Sequence, residues 1–190
     1  SEMGNGATGS SGDVVPLEQA REQVRMACVR LGLLHYAFTR TLMDELGPEQ
    51  GRRMAMKAIK LYGTEIGRGI RQRVEAQGRP NTLENYAEDL PLYGMHQSRE
   101  VGTVEGERRS RVYGCAMAQV WHELRADELG RIYCYVDPAK YMAYNPAFKL
   151  IHYQALPDGD HLCELAVKPT TAEDRQEFAR PDTDLARLDR

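Results

Sequence analysis

Two consecutive stretches of helical periodicity constrain the fold of this chain more than any other feature. In residues 16–47 apolar side chains recur at helical spacing, and Pro16 suits the first position of a helix. Residues 48–78 show a second apolar stripe, which lies opposite a basic face. Within this stretch, Gly63 and Gly67 predict that another element approaches the helix closely. The first half of the chain is therefore expected to form two long helices.

The second half of the chain alternates between strand and helix patterns. Residues 99–113 predict a β-hairpin, and residues 148–167 predict another around a Pro-Asp-Gly-Asp turn. Helical patterns cover residues 115–125 and 128–145, and Pro138 either kinks the latter or restarts it with Asp137 as the N-cap. The order predicts an α+β fold, in which N-terminal long helices pack with a small antiparallel sheet made of two β-hairpins.

Local composition divides the chain into three parts. Residues 1–13 are rich in Gly and Ser and begin with a Ser-Glu pair that looks like the scar of an expression tag, so we expect a disordered leader. Residues 14–168 are expected to form a single α+β domain. Residues 169–190 mix charges with two prolines and few apolar anchors, which predicts a mobile tail.

Charge and cysteine usage narrow the classes of partner. Twenty-five Lys and Arg against 28 Asp and Glu give a net charge of −3, so no basic field predicts binding to nucleic acid or to a membrane. No apolar run approaches the roughly 18 residues of a membrane span. The four cysteines form no C-x-x-C pair and follow no secretory leader, which favours the reducing cytoplasm. If the chain assembles, a homodimer is expected, because symmetric dimers are the commonest oligomers.

One helical stripe carries three reactive side chains. If residues 131–144 are helical, Cys134, Asp137 and Tyr141 fall at positions i, i+3 and i+7. A thiol, a carboxylate and a phenol could supply a nucleophile or proton donor, a general base and an orienting hydroxyl. The structural alternative is that Asp137 caps the helix and Cys134 is buried as a small hydrophobic residue.

Other candidate groups stand alone in the sequence. Cys115 lies at a predicted helix start, where backbone N–H groups favour a thiolate, although it could simply pack at a strand-to-helix corner. His96 lies in a loop before the first hairpin and is the better surface candidate. His35 falls on the apolar stripe of the first helix, where a histidine is more often a satisfied core residue than an acid, a base or a ligand. His152 and His161 have no convincing partner in the sequence.

Metal and cofactor motifs are weak or missing. Cys115, Cys134 and Cys163 could in principle converge on a metal, with a histidine or Asp137 as the fourth ligand. Structural zinc sites, however, usually bring their ligands in closely spaced pairs, and this chain has none. It also lacks a dinucleotide fingerprint, a Walker loop, a nucleophile elbow and a zinc-protease helix. We therefore predict no metal and no cofactor.

Residues 112–167 carry several features of one known family. These features are the helix-opening Cys115, the Glu-Leu-Gly segment at 128–130, the C-x-x-D pair Cys134 and Asp137, Asn145 of an Asn-Pro pair, and the Gly-Asp turn before Cys163. Together they resemble the L-2-amino-thiazoline-4-carboxylic acid hydrolase family. The resemblance covers the helical first half of the chain only in outline.

This resemblance implies hydrolytic opening of a five-membered cyclic amidine, which gives an N-carbamoyl amino acid that a separate enzyme would process. Water must attack the amidine carbon, a base must take its proton, and an acid must protonate the departing ring atom. Asp137 is the expected base. Alternatively, Cys134 or Cys115 attacks directly to form a covalent adduct, and Tyr141 or His96 donates the proton. The expected substrate contacts are His35, Asn145 and Cys163.

Two further functions remain open from the sequence. The final hairpin, with a cysteine after a Gly-Asp turn, also resembles the 4-vinyl reductase type of small-molecule-binding domain, which implies ligand binding or sensing without turnover. A third interpretation is a tailoring enzyme that acts on another small nitrogen heterocycle. Turnover would separate both enzyme interpretations from the binding module.

Overall fold

Two helices account for most of the first half of the chain. In the computed structural model, which describes residues 12–88 and 90–190, α1 spans Leu17–Leu46 and α2 spans Pro48–Ala76. Gly47 alone joins them, at a φ of 83° that favours glycine. Both long helices are therefore confirmed. Like every other helix in the described part of the chain, they lack the apolar length that crossing a bilayer requires.

The second half contains two hairpins with helices between and after them. The first hairpin pairs β1 with β2, and three short helices separate it from β3 and β4, after which two more helices follow. The bounds are β1 His96–Val104, β2 Glu107–Cys115, α3 Ala116–Glu123, α4 Asp127–Cys134, α5 Val136–Tyr144, β3 Phe148–Gln154, β4 Cys163–Pro169, α6 Ala172–Ala179 and α7 Leu185–Leu188. Short 3-10 turns lie at Leu83–Asn85 and Leu156–Asp158.

The four strands form one antiparallel sheet in the order β1-β2-β4-β3. Both hairpins are present as predicted, and β2 joins them by pairing with β4, where Val112 lies opposite Cys163. At the other edge of β2, Cys115 lies opposite His96 of β1. The predicted α+β class, with long N-terminal helices and a small antiparallel sheet, is confirmed.

Helix α5 lies unusually close to α2 because α2 carries glycines at the contact. A Cβ placed on Gly67 would lie 2.2 Å from the carbonyl oxygen of Lys140 and 2.7 Å from the Cβ of Ala143. A Cβ on Gly63 would lie 2.7 Å from the Cβ of Ala139. The predicted close approach is confirmed, and it fixes the position of α5 relative to the rest of the fold.

The helical pattern over residues 128–145 is two helices rather than one. Helix α4 ends at Cys134 and α5 begins at Val136, with Tyr135 between them. The expectation that Asp137 is the N-cap is wrong, because Asp137 lies inside the first turn of α5. Its side chain binds other side chains instead. The proline that follows sits in that same first turn, where a missing N–H leaves no helical hydrogen bond unmade.

The two ends of the chain were predicted to be without structure. The predicted leader, residues 1–13, lies outside the described residues except for its last two. The predicted tail, residues 169–190, is corrected, since it forms α6 and α7. Thr171 caps α6 through a reciprocal capping box, and Leu185 and Leu188 are 0% and 1% exposed. The burial of these two leucines holds the segment against the core, although the residues around them are mostly charged.

Candidate active site

A cleft of about 1120 Å³ opens between the start of α1 and the first hairpin. The start of α3 and the turn at residues 156–160 complete its walls. Two of the predicted catalytic residues, His96 and Cys115, line it, and so does Arg99, which the sequence did not single out. The other predicted catalytic residues, Cys134, Asp137 and Tyr141, are not among its lining residues. Its size suits a small molecule.

His96 and Cys115 lie opposite each other at the end of the β1–β2 ladder, and both line the cleft. The N–H of Ala116 donates to the carbonyl of Met95 at 3.0 Å, which ties the two strands together there. The Nδ1 atom of His96 is buried and has no hydrogen-bond partner among the described residues. The sheet therefore brings an imidazole opposite a thiol, and one nitrogen of that imidazole is buried and unpaired among the described residues.

Burial and charge determine the protonation of this pair. Burial, with help from Arg99 and Lys140, lowers the pKa of His96 to about 4, although Asp137 acts in the opposite direction. His96 is therefore neutral near pH 7. Burial also raises the pKa of the Cys115 thiol, while the N–H groups of the first turn of α3 oppose that shift. A neutral imidazole can accept the proton that this thiol, or a water molecule, must lose.

Asp137 is the charged centre of the site. Its Oδ1 atom lies 3.0 Å from the Nζ of Lys140, and its Oδ2 atom lies 3.2 Å from the Nε2 of His152. Burial alone would raise the pKa of this carboxyl, but Lys140 and His152 outweigh burial and hold the pKa well below its usual range. The charge of Asp137 shifts the pKa values of several neighbouring groups, namely His96, Cys115, Cys134, Tyr141 and Cys163.

Side chains of alternating charge connect Asp137 to His152, Asp189 and Arg131 in that order. The Nδ1 of His152 lies 3.1 Å from Oδ1 of Asp189, and Oδ2 of Asp189 accepts a hydrogen bond of 2.7 Å from Arg131. Arg131 also donates to Asp158 at the wall of the cleft, at 2.9 Å. Burial would lower the pKa of His152, but its two carboxylate partners raise it to about 9. His152 is therefore a cation at neutral pH.

The remaining thiols lie behind the cleft and are protonated. Burial raises the pKa of Cys134 well above its usual value, and it raises the pKa of Cys163 to about 11. The N–H of Leu156 donates to Sγ of Cys163 at 3.3 Å. All four cysteines are free. Of the three thiols near Asp137, Cys115 is the one that lines the cleft and faces a base.

Two stacked tyrosines cover the other side of Asp137. The rings of Tyr86 and Tyr141 lie 4.1 Å apart between centroids, and burial raises the pKa of both phenols. The hydroxyl of Tyr86 is buried without a hydrogen-bond partner among the residues that the structure describes. The predicted stripe of Cys134, Asp137 and Tyr141 is thus one neighbourhood of the fold, with Tyr141 as a neutral phenol.

None of the three predicted substrate contacts, His35, Asn145 and Cys163, lines this cleft. His35 donates from Nε2 to the carbonyl of Leu129 at 2.7 Å, and its ring packs edge-on against that of Trp121. Asn145 donates to the carbonyl of Asn81 at 2.7 Å. Both side chains therefore hold parts of the fold together, and neither lines the cleft.

Several members of the site were not found by sequence reasoning. The sequence patterns assign no role to His152, and they do not single out Lys140, Asp189 or Tyr86. Lys140 had a local signal, since it follows Asp137 at i+3 on a helix. The other three reach Asp137 only through tertiary packing. Among the described residues, no cluster of three or more histidine, cysteine, aspartate or glutamate side chains could hold a metal ion.

The fold and the cleft indicate a kind of site without any comparison with known proteins. A small antiparallel sheet presents a neutral imidazole and a thiol to a cavity of small-molecule size, beside an ionised carboxylate. A cavity of this size lined by such groups is the usual form of a small-molecule site in proteins.

The comparison with protein families is more specific. The chain belongs to the L-2-amino-thiazoline-4-carboxylic acid hydrolase family, whose model matches residues 26–167. The family's name describes a hydrolase. Searches of curated proteins and of solved structures gave no match. The matched residues include His96, Cys115 and Asp137, and they end before Asp189.

Proposed function

We propose that this protein is a hydrolase that opens a small cyclic amidine, or a related nitrogen heterocycle of the 2-amino-thiazoline-4-carboxylate kind, by adding water. The observation that carries the proposal is the pairing of His96 with Cys115 in the cleft, beside the charge of Asp137. The family's name supports the same class of reaction.

Opposite charges of the substrate have matching partners in the site. A protonated cyclic amidine is a cation, and Asp137 is an anion whose side chain is 18% exposed. A carboxylate offers about four acceptor positions, and Lys140 and His152 use two of them. Arg99 lines the cleft, bonds only to Ser110 Oγ at 3.0 Å, and pairs with no carboxylate among the described residues. It can therefore hold the substrate carboxylate.

The first route to product uses water directly. His96 accepts a proton from water at Nδ1 while the water oxygen bonds to the amidine carbon. The carbon–sulfur bond then breaks, and the ring sulfur leaves with its electron pair and takes the proton from His96. The protonated ureido group releases its remaining proton to solvent. Asp137 is a weak base in this environment and does not line the cleft, so its part is to stabilise the cationic amidine through its charge rather than to take the proton.

The second route is covalent. Cys115 gives its proton to His96 as Sγ bonds to the amidine carbon, and the ring sulfur leaves with that proton. Water then attacks the same carbon and its proton passes to His96. Sγ of Cys115 leaves the tetrahedral intermediate with its electron pair and takes that proton back, which restores the thiol and the neutral imidazole. Both routes end with the same N-carbamoyl amino acid, and both require His96.

A binding module of the 4-vinyl reductase type is the second candidate. The observation that favours it is the protonated state of the three buried thiols, which suits ligand contact without covalent chemistry.

We also propose a cytoplasmic location, since a reducing compartment keeps cysteines free, as all four are here.

Turnover of L-2-amino-thiazoline-4-carboxylic acid, followed by mass spectrometry, tests the proposal. We expect wild type to form, over many turnovers, a product heavier by one water. His96→Gln should lose about 100-fold or more in rate, the contribution of a general acid–base. The matched control is His161→Gln, outside the cleft, which should keep the wild-type rate.

Two further results separate the alternatives. Cys115→Ser should abolish turnover if the route is covalent, and it should lower the rate only modestly if water attacks directly. If wild type forms no product while the compound raises the melting temperature, the protein is a binding module and the hydrolase proposal is wrong.

A further inference from the structure

Asp189 reaches the candidate site from a part of the chain beyond the family match. It directly follows α7, which Leu185 and Leu188 anchor in the core. Its side chain is 1% exposed, and its Oδ1 accepts a hydrogen bond of 2.7 Å from the backbone N–H of His152. Its Oδ2 accepts another of 2.7 Å from Arg131. A buried carboxylate with this many donors is held in one position.

The geometry around His152 determines its proton count. One ring nitrogen lies 3.2 Å from Asp137 and the other lies 3.1 Å from Asp189, and the side chain is 4% exposed. A carboxylate can only accept a hydrogen bond, so both ring nitrogens must donate. A neutral imidazole has a single N–H, and therefore His152 bridges the two carboxylates as an imidazolium.

The bridge has consequences for Asp137. Its Oδ2 receives one donor from His152 and its Oδ1 receives another from Lys140, so the carboxylate is fixed on both sides. Without the charge at Asp189, His152 would have one carboxylate partner and could lose its second proton. Oδ2 of Asp137 would then keep a donor only in one tautomer of the ring.

We propose that Asp189 is a positioning residue of the candidate site, which holds His152 as an imidazolium and thereby fixes the carboxylate of Asp137 between His152 and Lys140. The charged groups that face His152 are Asp137 from α5 and Asp189 after α7, with Arg131 of α4 and Lys140 of α5 behind them. The kinetic part rests on the proposed hydrolase function, whereas the state of His152 does not.

Nitrogen NMR of the His152 ring tests the proposal without any substrate. In wild type both ring nitrogens should remain protonated up to about pH 8, well above the ordinary histidine range. In Asp189→Asn the ring should titrate at least about one pH unit lower. The control is Asp182→Asn, which removes an exposed carboxylate 3.0 Å from Lys57 in the same segment and should leave His152 unchanged. A neutral His152 in wild type at pH 7, or an unchanged titration in Asp189→Asn, overturns the proposal.

Kinetics test the positioning role. In Asp189→Asn, kcat for ring opening should fall by roughly 10-fold or more, the usual cost of losing a partner behind a functional group. Activity should recover as the pH falls, because His152 is protonated again, whereas a purely structural defect would not recover. A pH profile parallel to wild type would contradict the role. If wild type itself shows no turnover, the proposed function fails, and the NMR titration alone decides the role of Asp189. If Asp189→Asn does not fold, the same titration of Asp137→Asn decides it, because Asp189 is then the remaining carboxylate at His152. The ring should still titrate above the ordinary histidine range, and an ordinary titration would overturn the proposal.

Discussion

Replacing Gly67 by alanine is the sharpest test of how the fold places the site. The added Cβ would lie 2.2 Å from the Lys140 carbonyl oxygen and 2.7 Å from the Cβ of Ala143. Ordinary contact needs about 3.5 Å, so α5 must move away from α2 by about 1 Å. Because Lys140 is itself a partner of Asp137, this displacement starts at the candidate site.

The expected cost follows from two opposing effects. Alanine is a better helix former than glycine by about 1 kcal/mol, which favours the variant. Overpacking costs about 1–3 kcal/mol and more where backbone must move, and a gap of about 1 Å along the interface removes much of its dispersion attraction. We therefore expect Gly67→Ala to lose about 2 kcal/mol of unfolding free energy and to melt about 4–8 °C lower.

Gly69 provides a matched control two residues along the same helix. A Cβ there would meet only the Nη1 of Arg73, at 3.6 Å, which is an ordinary contact. Gly69→Ala should therefore stabilise the protein by about 0.5–1 kcal/mol. Urea unfolding followed by fluorescence of the single tryptophan, Trp121, which is 1% exposed, measures both variants. If Gly67→Ala is as stable as Gly69→Ala, the close packing of α2 on α5 is refuted.

Three further predictions address the site and the end of the chain. Leu188→Ala should lower the free energy of unfolding, measured in urea, by about 2–5 kcal/mol. The control Leu124→Ala, at a 40% exposed position, should change it by less than about 0.5 kcal/mol, and equal effects would mean that α7 is not anchored in the core. The pKa of His152, raised to about 9 from 6.5, should add about 3 kcal/mol of stability that is complete below pH 6.5 and lost as the pH rises through 9. Urea midpoints measured over that range should therefore fall more steeply for wild type than for His152→Gln, and parallel curves would contradict the buried imidazolium. Asp137→Asn leaves the Lys140 cation without the carboxylate of Asp137, so both turnover and the melting temperature should fall. A fully active variant would show that Asp137 has no part in the reaction.

The helices and hairpins could be predicted because their signals are local. Periodicity between Pro16 and Gly47 defines α1, and the same kind of pattern defines α2. The small residues at Gly63 and Gly67 even predicted that something would pack there, although not that it would be α5. The order of the strands was not predictable, because the pairing of β2 with β4 depends on residues far apart in sequence, such as Arg111 and Glu164, which are 53 positions apart.

The candidate site was predictable only in part, and the reason is again distance along the chain. Cys134, Asp137 and Tyr141 lie within eight residues of one another, at the end of α4 and in α5, so their spacing placed them together although the helix is interrupted. The assignment of Asp137 as a helix cap failed because its partners include His152 on β3, which a helical pattern cannot reveal. The contribution of Asp189 could not be predicted, because it lies in a charged segment whose few apolar residues did not indicate an ordered structure.

Hydrolysis in water labelled with heavy oxygen tests the central claim most directly. L-2-amino-thiazoline-4-carboxylic acid in large molar excess is incubated with the wild-type protein, and the products are weighed by mass spectrometry. We predict conversion over many turnovers to a ring-opened product that carries one heavy oxygen atom in its ureido group, and loss of that product in His96→Gln. Recovery of the heterocycle unchanged, with a raised melting temperature of the protein as the sole effect, would contradict the hydrolase and leave a binding protein in its place.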